Sequence, residues 1–459
     1  MLNLTLKEIA QLADGKLNND KFEDVVINDV SIDTRTLAQG DLYIPIIGEN
    51  FDGHKFIDSA IIKGAKAIFS EQGKFVKDDF PIIYVKDTTE ALQEFSSKYR
   101  QSLDIKIIAI TGSNGKTSTK DLISKILEEK YIVSKTIGNL NNHIGLPLTL
   151  LKFNKDTNIG VVEMGTDGFG QIEVLSKIAR PDIAIITNIG DSHLEALKTK
   201  ENIAKEKLHI IDYLAKNGVF YYNLDDPILT SEYKKLNKNI RDISFGKDPN
   251  ADYRLNIIES NNKGSLFTLN DDFYNLTLIG KHQVYNASVA IAVAEEIGIE
   301  EDKIKHALLE NEASSMRTEL MNMNGFDILN DSYKSNPQSL LTALDTLSIL
   351  DGYRNKIAIL GDMLELGENE EELHRNIGRQ IDPDKLDYLL LFGPLSKYIY
   401  DEAVKVMGQN RVFYFDNKDK LVDKAKYIIK RGDIVLVKAS RSMHLEEIIE
   451  SLSNLTFTK

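Results

Sequence analysis

Continuous apolar runs separated by helical patterns dominate the chain from about residue 100 onward. KIIAIT, GVVEMG, DIAIITNIG and GVFYYNLDD alternate with helical stretches in the middle of the sequence. KIAILGDM, YLLLFG, RVFYFD and DIVLVKAS repeat the pattern near the end. Runs without polar alternation predict strands buried on both faces, as in a parallel sheet covered by helices. The first 86 residues differ. A helix-like start (Leu4 to Leu12) precedes DVSIDTRTLAQGDLYIPI, the strand pair AKAIFS and PIIYVKD, and one further helical stretch, Phe56 to Gly64. A polar helix is expected from Thr89 to Ser102, and a further helix from Asn286 to Glu296. Between about 250 and 280 the pattern turns to polar alternation, predicting a small antiparallel insertion.

The expected fold class is therefore α/β in three domains. Residues 1–86 form a small α/β domain, 87–314 a central domain with helices on both faces of a parallel sheet, and 315–459 a Rossmann-like α/β domain. A length of 459 residues suits two or three domains. No Pro- or Ser-rich linker marks the boundaries, and no short repeat is visible.

Composition narrows the chemistry. At 42% hydrophobic and 27% charged residues the chain reads as soluble and globular. With no cysteine it has no thiolate metal site, disulfide or cysteine nucleophile, which fits a cytoplasmic location. MLNLTLKEIAQLADG lacks a basic start followed by an apolar core, so no signal peptide is expected, and no apolar run is long enough to span a bilayer. A net charge of −14 argues against a nucleic-acid surface. It leaves room for a nucleotide, since a few local donors and a metal hold phosphates on an acidic protein.

IIAITGSNGKTSTKDLISKIL carries the strongest local signal. A strand ends at Thr111, a Gly-rich turn follows, and an amphipathic helix begins near Lys116. Gly112 and Gly115 permit tight backbone geometry, and the N–H groups from Ser113 and Asn114 to Ser118 face an anion at the helix start. Lys116 supplies charge to terminal phosphates, and the Thr117 hydroxyl suits a magnesium ion. The loop is compressed relative to GxxxxGK[ST], because Ile110 stands where the first Gly would fall. Glu163 ends the next strand, and a carboxylate beside a phosphate loop suits a hard divalent cation.

TGSNGKTS resembles the ATP loop of the Mur ligases and their folylpolyglutamate synthase relatives, a three-domain superfamily that joins an acid to an amine through an acyl-phosphate. The resemblance implies ATP and two magnesium ions, with His193 of TNIGDSHLEAL on the second ion. It also implies that Lys207 of ENIAKEKLHII is a carbamate ligand, Lys205 being the competing position. NNHIGLPLTLL resembles a substrate-contacting segment, through Asn141 and Asn142. GKHQVYNASVAIAVA resembles the adenine-contacting helix start, with Gln283 where the family usually has Asn, and Asn286 retained. NLDDP, with Asn223 and Asp226, is a weaker match to a nucleotide contact. Arg317 of SSMRTEL stands where a family arginine closes onto the nucleotide.

ILNDSYKSNPQSL resembles the DSYNANP motif of the branch that adds D-alanyl-D-alanine. Asp331, Tyr333, Asn336 and Pro337 are retained, Lys334 replaces an Asn, and Ser335 replaces the Ala. Asp331 is expected to anchor a water or the nucleotide, and the polar cluster to orient a dipeptide. ILGDMLELGENEEELHRNIG, including His374, is its companion, and KASRSMHLEE a weaker match. IDTRTLAQGDLYIPIIGENFDGHKFI resembles the uridine-diphosphate domain, with Thr34 and Arg35 as substrate contacts. The resemblance thus implies an ATP-dependent ligase joining UDP-N-acetylmuramoyl-tripeptide to D-alanyl-D-alanine, acting in the cytoplasm as a monomer. Two alternatives stand beside it: a superfamily ligase with a different acid or amine, and a non-catalytic interaction protein switched by ATP.

Overall fold

The computed structural model describes residues 2–48 and 51–457. Glu49 and Asn50 of the GENFDG segment lie outside the described residues. Among those described, three sheets of five or more strands follow one another along the chain.

The central sheet has nine strands. Lys106–Thr111 is the third strand from one edge, flanked in parallel by Ile159–Glu163 and Ile183–Ile186. Ile107 and Ala109 point into one apolar cluster while Ile108 and Ile110 point into another, which is why these runs carry no polar alternation. Val219–Asn223 and Arg241–Gly246 extend the parallel sheet. The expected antiparallel insertion is present as Tyr253–Asn261, Gly264–Leu269 and Asp272–Leu276. Its first strand also pairs in parallel with Arg241–Gly246, so the insertion widens the main sheet.

The helices follow the pattern, with small shifts at their starts. Lys116–Leu127 begins at the end of the phosphate loop. Thr88–Gln101 starts from Asp87, whose carboxylate accepts from the Thr89 and Glu90 amides. Lys281–Ile297 starts five residues earlier than its apolar pattern, because Gly280 at φ +103° turns the chain sharply into the helix.

The N-terminal sheet has five strands, four of them parallel, and its core is continuous with one face of the central sheet through the helix Thr88–Gln101. Several of its strands are two residues long. The C-terminal sheet has six strands, five in parallel from Asp327–Asn330 to Val412–Phe415, with Glu319–Asn322 antiparallel at one edge. The expected α/β class thus holds in all three parts. Among the described residues no helix is long and apolar enough to cross a membrane.

Candidate active site

The carboxyl ends of the central strands open into a cavity of about 1060 Å³ that the C-terminal sheet closes from the other side. Central residues from the phosphate loop line it, including Ser113 to Ser118, with Asn141, Asn142, Glu163, His193 and Asn286. Arg317, Asp331, Lys334 and Lys438 line it from the C-terminal part.

The loop is held from below. Thr187 Oγ1 donates to the Asn114 carbonyl at 2.6 Å, and the Asn114 amide donates to Asn188 Oδ1 at 3.0 Å. A Cβ on Gly112 would lie 1.9 Å from Thr187 Oγ1, and one on Gly115 (φ +82°) would lie 2.6 Å from Asn286 Oδ1. Both glycines are therefore required by close approach. Lys116 Nζ donates to the Gly112 carbonyl at 2.7 Å, so its ammonium is folded back over the loop. Burial lowers Lys116 to about 8; the Glu163 carboxylate opposes that fall, and Lys334 and Arg317 add to it.

Glu163 is buried across the sheet from the loop. Its Oε2 accepts from the Thr117 hydroxyl at 2.8 Å and its Oε1 from the Asn141 amide at 2.9 Å. A hydroxyl and a carboxylate oxygen in contact at the mouth of an anion cradle fit one magnesium ion.

His193 presents a different picture. Its Nδ1 lies 2.9 Å from Glu365 Oε2, and its Nε2 lies 2.8 Å from Lys334 Nζ. Burial lowers its pKa, the Glu365 hydrogen bond opposes this, and Lys334 reinforces it. With Glu365 at Nδ1 and Lys334 at Nε2, both ring nitrogens of His193 are engaged within the protein.

Lys207 and Lys205 separate cleanly. Lys205 is exposed, whereas Lys207 is only 2% exposed. Burial drives the Lys207 pKa far down, and Lys116 and Lys334 push it further.

Two bridges join the domains at the loop. Asn336 Nδ2 donates to Asn114 Oδ1 at 2.8 Å, and Asn114 Nδ2 donates to Gln338 Oε1 at 3.2 Å. Asn336 also caps the helix Pro337–Ile349, its Oδ1 accepting from the Ser339 amide. Arg317 stacks over the Tyr333 ring at 4.1 Å. Asp331 pairs with the buried Lys438 at 2.6 Å.

Not every expected residue converges. Thr34 and Arg35 sit in the N-terminal part and do not line this cavity, and Arg35 pairs with its neighbour Asp33 at 2.6 Å. Asn142 lines the cavity while its Oδ1 caps the helix Gly145–Leu151 through the Gly145 amide. His374 is fully buried and accepts from the Met363 amide, a scaffold role. Asn286 contacts Thr119 and Gln283 within the central domain. Lys438, Gln338 and Glu365 were not singled out from sequence. Each lies in a segment that carries the resemblance (ILNDSYKSNPQSL for Gln338, ILGDMLELGENEEELHRNIG for Glu365, KASRSMHLEE for Lys438), but the sequence assigns none of the three a role.

Family models match along the chain in order. The model described as Mur ligase family, catalytic domain matches residues 26–100, Mur ligase middle domain 110–294, and Mur ligase, glutamate ligase domain 316–441. A UDP-N-acetylmuramoyl-tripeptide--D-alanyl-D-alanine ligase of Bacillus subtilis (strain 168) is 40% identical over 98% of this chain and 99% of its own length. The chain belongs to the Mur ligase family. The enzyme of the same name from Escherichia coli (strain K12) is 30% identical over 98% of this chain and 99% of its own. Among solved structures, MurF from Acinetobacter baumannii superposes with a TM-score of 0.90 at 26% identity, covering 98% of this chain and 99% of that one. MurF from Thermotoga maritima, solved in complex with ADP, gives 0.81 at 28% identity over 93% and 97%. The cavity of this Mur ligase lies between the parts matched by the middle and glutamate ligase models.

Proposed function

We propose that this Mur ligase joins UDP-N-acetylmuramoyl-tripeptide to D-alanyl-D-alanine at the expense of ATP, in the cytoplasm and as a single chain. The observation that carries this is the meeting of the phosphate loop with the DSYKSNP segment, through Asn114, Asn336 and Gln338, over one cavity. It brings a phosphate cradle and the segment typical of the dipeptide-adding branch to one place.

The chemistry follows from those residues. The tripeptide carboxylate attacks the γ-phosphorus of ATP, ADP leaves, and an acyl-phosphate forms. Lys116, freed from the Gly112 carbonyl, faces the transferring phosphoryl group and offsets its charge. Magnesium held by Thr117 and Glu163 supplies further charge neutralisation when bound. The amine of D-alanyl-D-alanine then attacks the acyl carbon and phosphate departs. Arg317, which lines the cavity, closes over the nucleotide, and Asn286, which lines it beside Gly115, is the adenine contact of this reading. Thr34 and Arg35 bind the uridine diphosphate end at a separate contact. Asn141, which already holds Glu163, and Asn142 border the acid substrate.

Phosphate release with ATP, magnesium, the UDP-linked tripeptide and D-alanyl-D-alanine, each omitted in turn, tests the proposal. Release should need all four, with a pentapeptide product by mass. Release independent of the dipeptide would point to another amine, and ATP binding without release would point to a switched interaction protein.

Lys207 is the carbamylated lysine of this reading. A buried amine held neutral adds carbon dioxide readily, losing one proton, and becomes an anion facing the Lys116 and Lys334 ammonium groups. Protein equilibrated with 13C-bicarbonate should show one carbamate carbon resonance. Lys207→Ala should lose it and Lys205→Ala should keep it; the reverse would move the assignment to Lys205.

A further inference from the structure

Lys334 stands where the dipeptide-adding branch usually carries Asn, and its ammonium donates to His193 Nε2 at 2.8 Å across the domain boundary. A donor at Nε2 uses the lone pair that a metal needs. The proton of a neutral ring must then sit on Nδ1, where the Glu365 carboxylate accepts it at 2.9 Å. The ring is thus fully committed, to a cation on one side and an anion on the other. Asn at this position has no charge and a shorter reach, so it could not occupy His193 in this way.

The surroundings hold the arrangement in place. Lys438 Nζ donates to the Lys334 carbonyl at 2.8 Å, fixing the backbone from which the ammonium extends. Glu365 is held against the same stretch as His193, because the Glu195 amide donates to the Glu365 carbonyl at 3.1 Å. Both His193 (φ +59°) and Glu365 (φ +64°) sit in the left-handed region, a strained conformation that persists only where neighbours over-determine it. Three charged or polar groups from two domains therefore converge at the one place where the family resemblance puts a second magnesium.

We propose that the Lys334 ammonium takes the place of the second divalent cation at His193, so that this ligase works with a single metal ion. The proposal rests on the ligase reading above, but not on its choice of amine. It makes Lys334 a charge-supplying group of the closed site, delivered by the C-terminal domain. Domain closure and charge neutralisation then become one event, since the ammonium arrives only when the C-terminal domain does.

Counting bound Mn2+ by electron paramagnetic resonance tests this, with β,γ-methylene-ATP and the UDP-linked tripeptide present. The intact protein should bind one ion per chain. Lys334→Asn should bind two, the second with the line broadening of a close ion pair, and Lys334→Met, which removes the charge without adding a ligand, should also gain the second ion. Melting temperatures near that of the parent would show both variants folded. Two ions in the parent protein would overturn the substitution of ammonium for metal while leaving the ligase reading intact. One ion in every variant would overturn it as well, since Lys334 would then not be what excludes the second. No ion in the parent would remove the Thr117–Glu163 site, and with it the ligase mechanism on which the proposal stands.

Discussion

Lys116→Ala is expected to lower kcat by about 10²- to 10³-fold, the loss associated with removing one charged donor aimed at a transferring group. The effect should fall on kcat more than on KM, because Lys116 matters most where phosphoryl charge develops. Lys116→Arg should not restore the rate: the Gly112 carbonyl and the loop leave a site for a compact ammonium, and a planar guanidinium needs a wider fork. A structural collapse is easily told apart. Burial lowers the Lys116 pKa to about 8 in the folded chain, so its charge opposes folding below about pH 8 and ceases to do so above its unfolded value. The nucleotide-free Ala variant should therefore be no less stable than the parent at pH 7, even as activity is lost. ATP reverses the balance by giving the ammonium a partner. Parent affinity for ATP should weaken as pH rises above about 8, and the variant should show no such slope. A flat profile in both, by calorimetric titration, would remove Lys116 from phosphate binding.

The parts of this site that the sequence displays are those built from short-range pattern. A strand, a glycine turn and a helix lie within the twenty residues around Lys116, so the loop is legible before any fold is known. Glu163 is legible for a related reason: it ends the next buried run, and neighbouring parallel strands bring their carboxyl ends together. Lys207 against Lys205 is not legible. In the helix Lys200–Leu208 the buried residues include Ile203, Ala204, Glu206 and Lys207, so no single polar face identifies which lysine turns inward. Only packing decides that.

Lys334 stood out as a departure from a motif, yet its partner lies 141 residues away and no local rule connects them. Glu365 belongs to a motif recognised from sequence, but its contact with His193 depends on how two domains meet. The two-residue strands of the N-terminal sheet are too short for any periodicity to register. The antiparallel insertion was visible from its alternation, whereas the parallel pairing of Tyr253–Asn261 with the main sheet was not, since it involves only the first residues of that strand.

Lys438→Met should have the largest effect on stability. Lys438 is 1% exposed and its ammonium reaches both Asp331 Oδ2 at 2.6 Å and the Lys334 carbonyl at 2.8 Å. Substitution leaves the Asp331 carboxylate with the Thr318 amide, at 3.1 Å, as its remaining donor. Breaking a buried pair by removing one member costs about 3–5 kcal/mol, and partial exposure of Asp331 places this case near about 3 kcal/mol. A three-domain chain does not unfold in one step, so the loss is best read locally. Amide exchange in the paired strands Asp327–Asn330 and Ile434–Lys438 should accelerate by about a hundredfold, with the central sheet unaffected. Asp331→Asn combined with Lys438→Met should recover much of that protection, because no unpaired charge then remains buried. Activity should stay low in the double variant, since the Lys334 backbone has still lost its anchor. Protection unchanged in the single variant would mean that Asp331 finds water in the cavity, and that the pair serves closure of the site rather than the stability of its sheet.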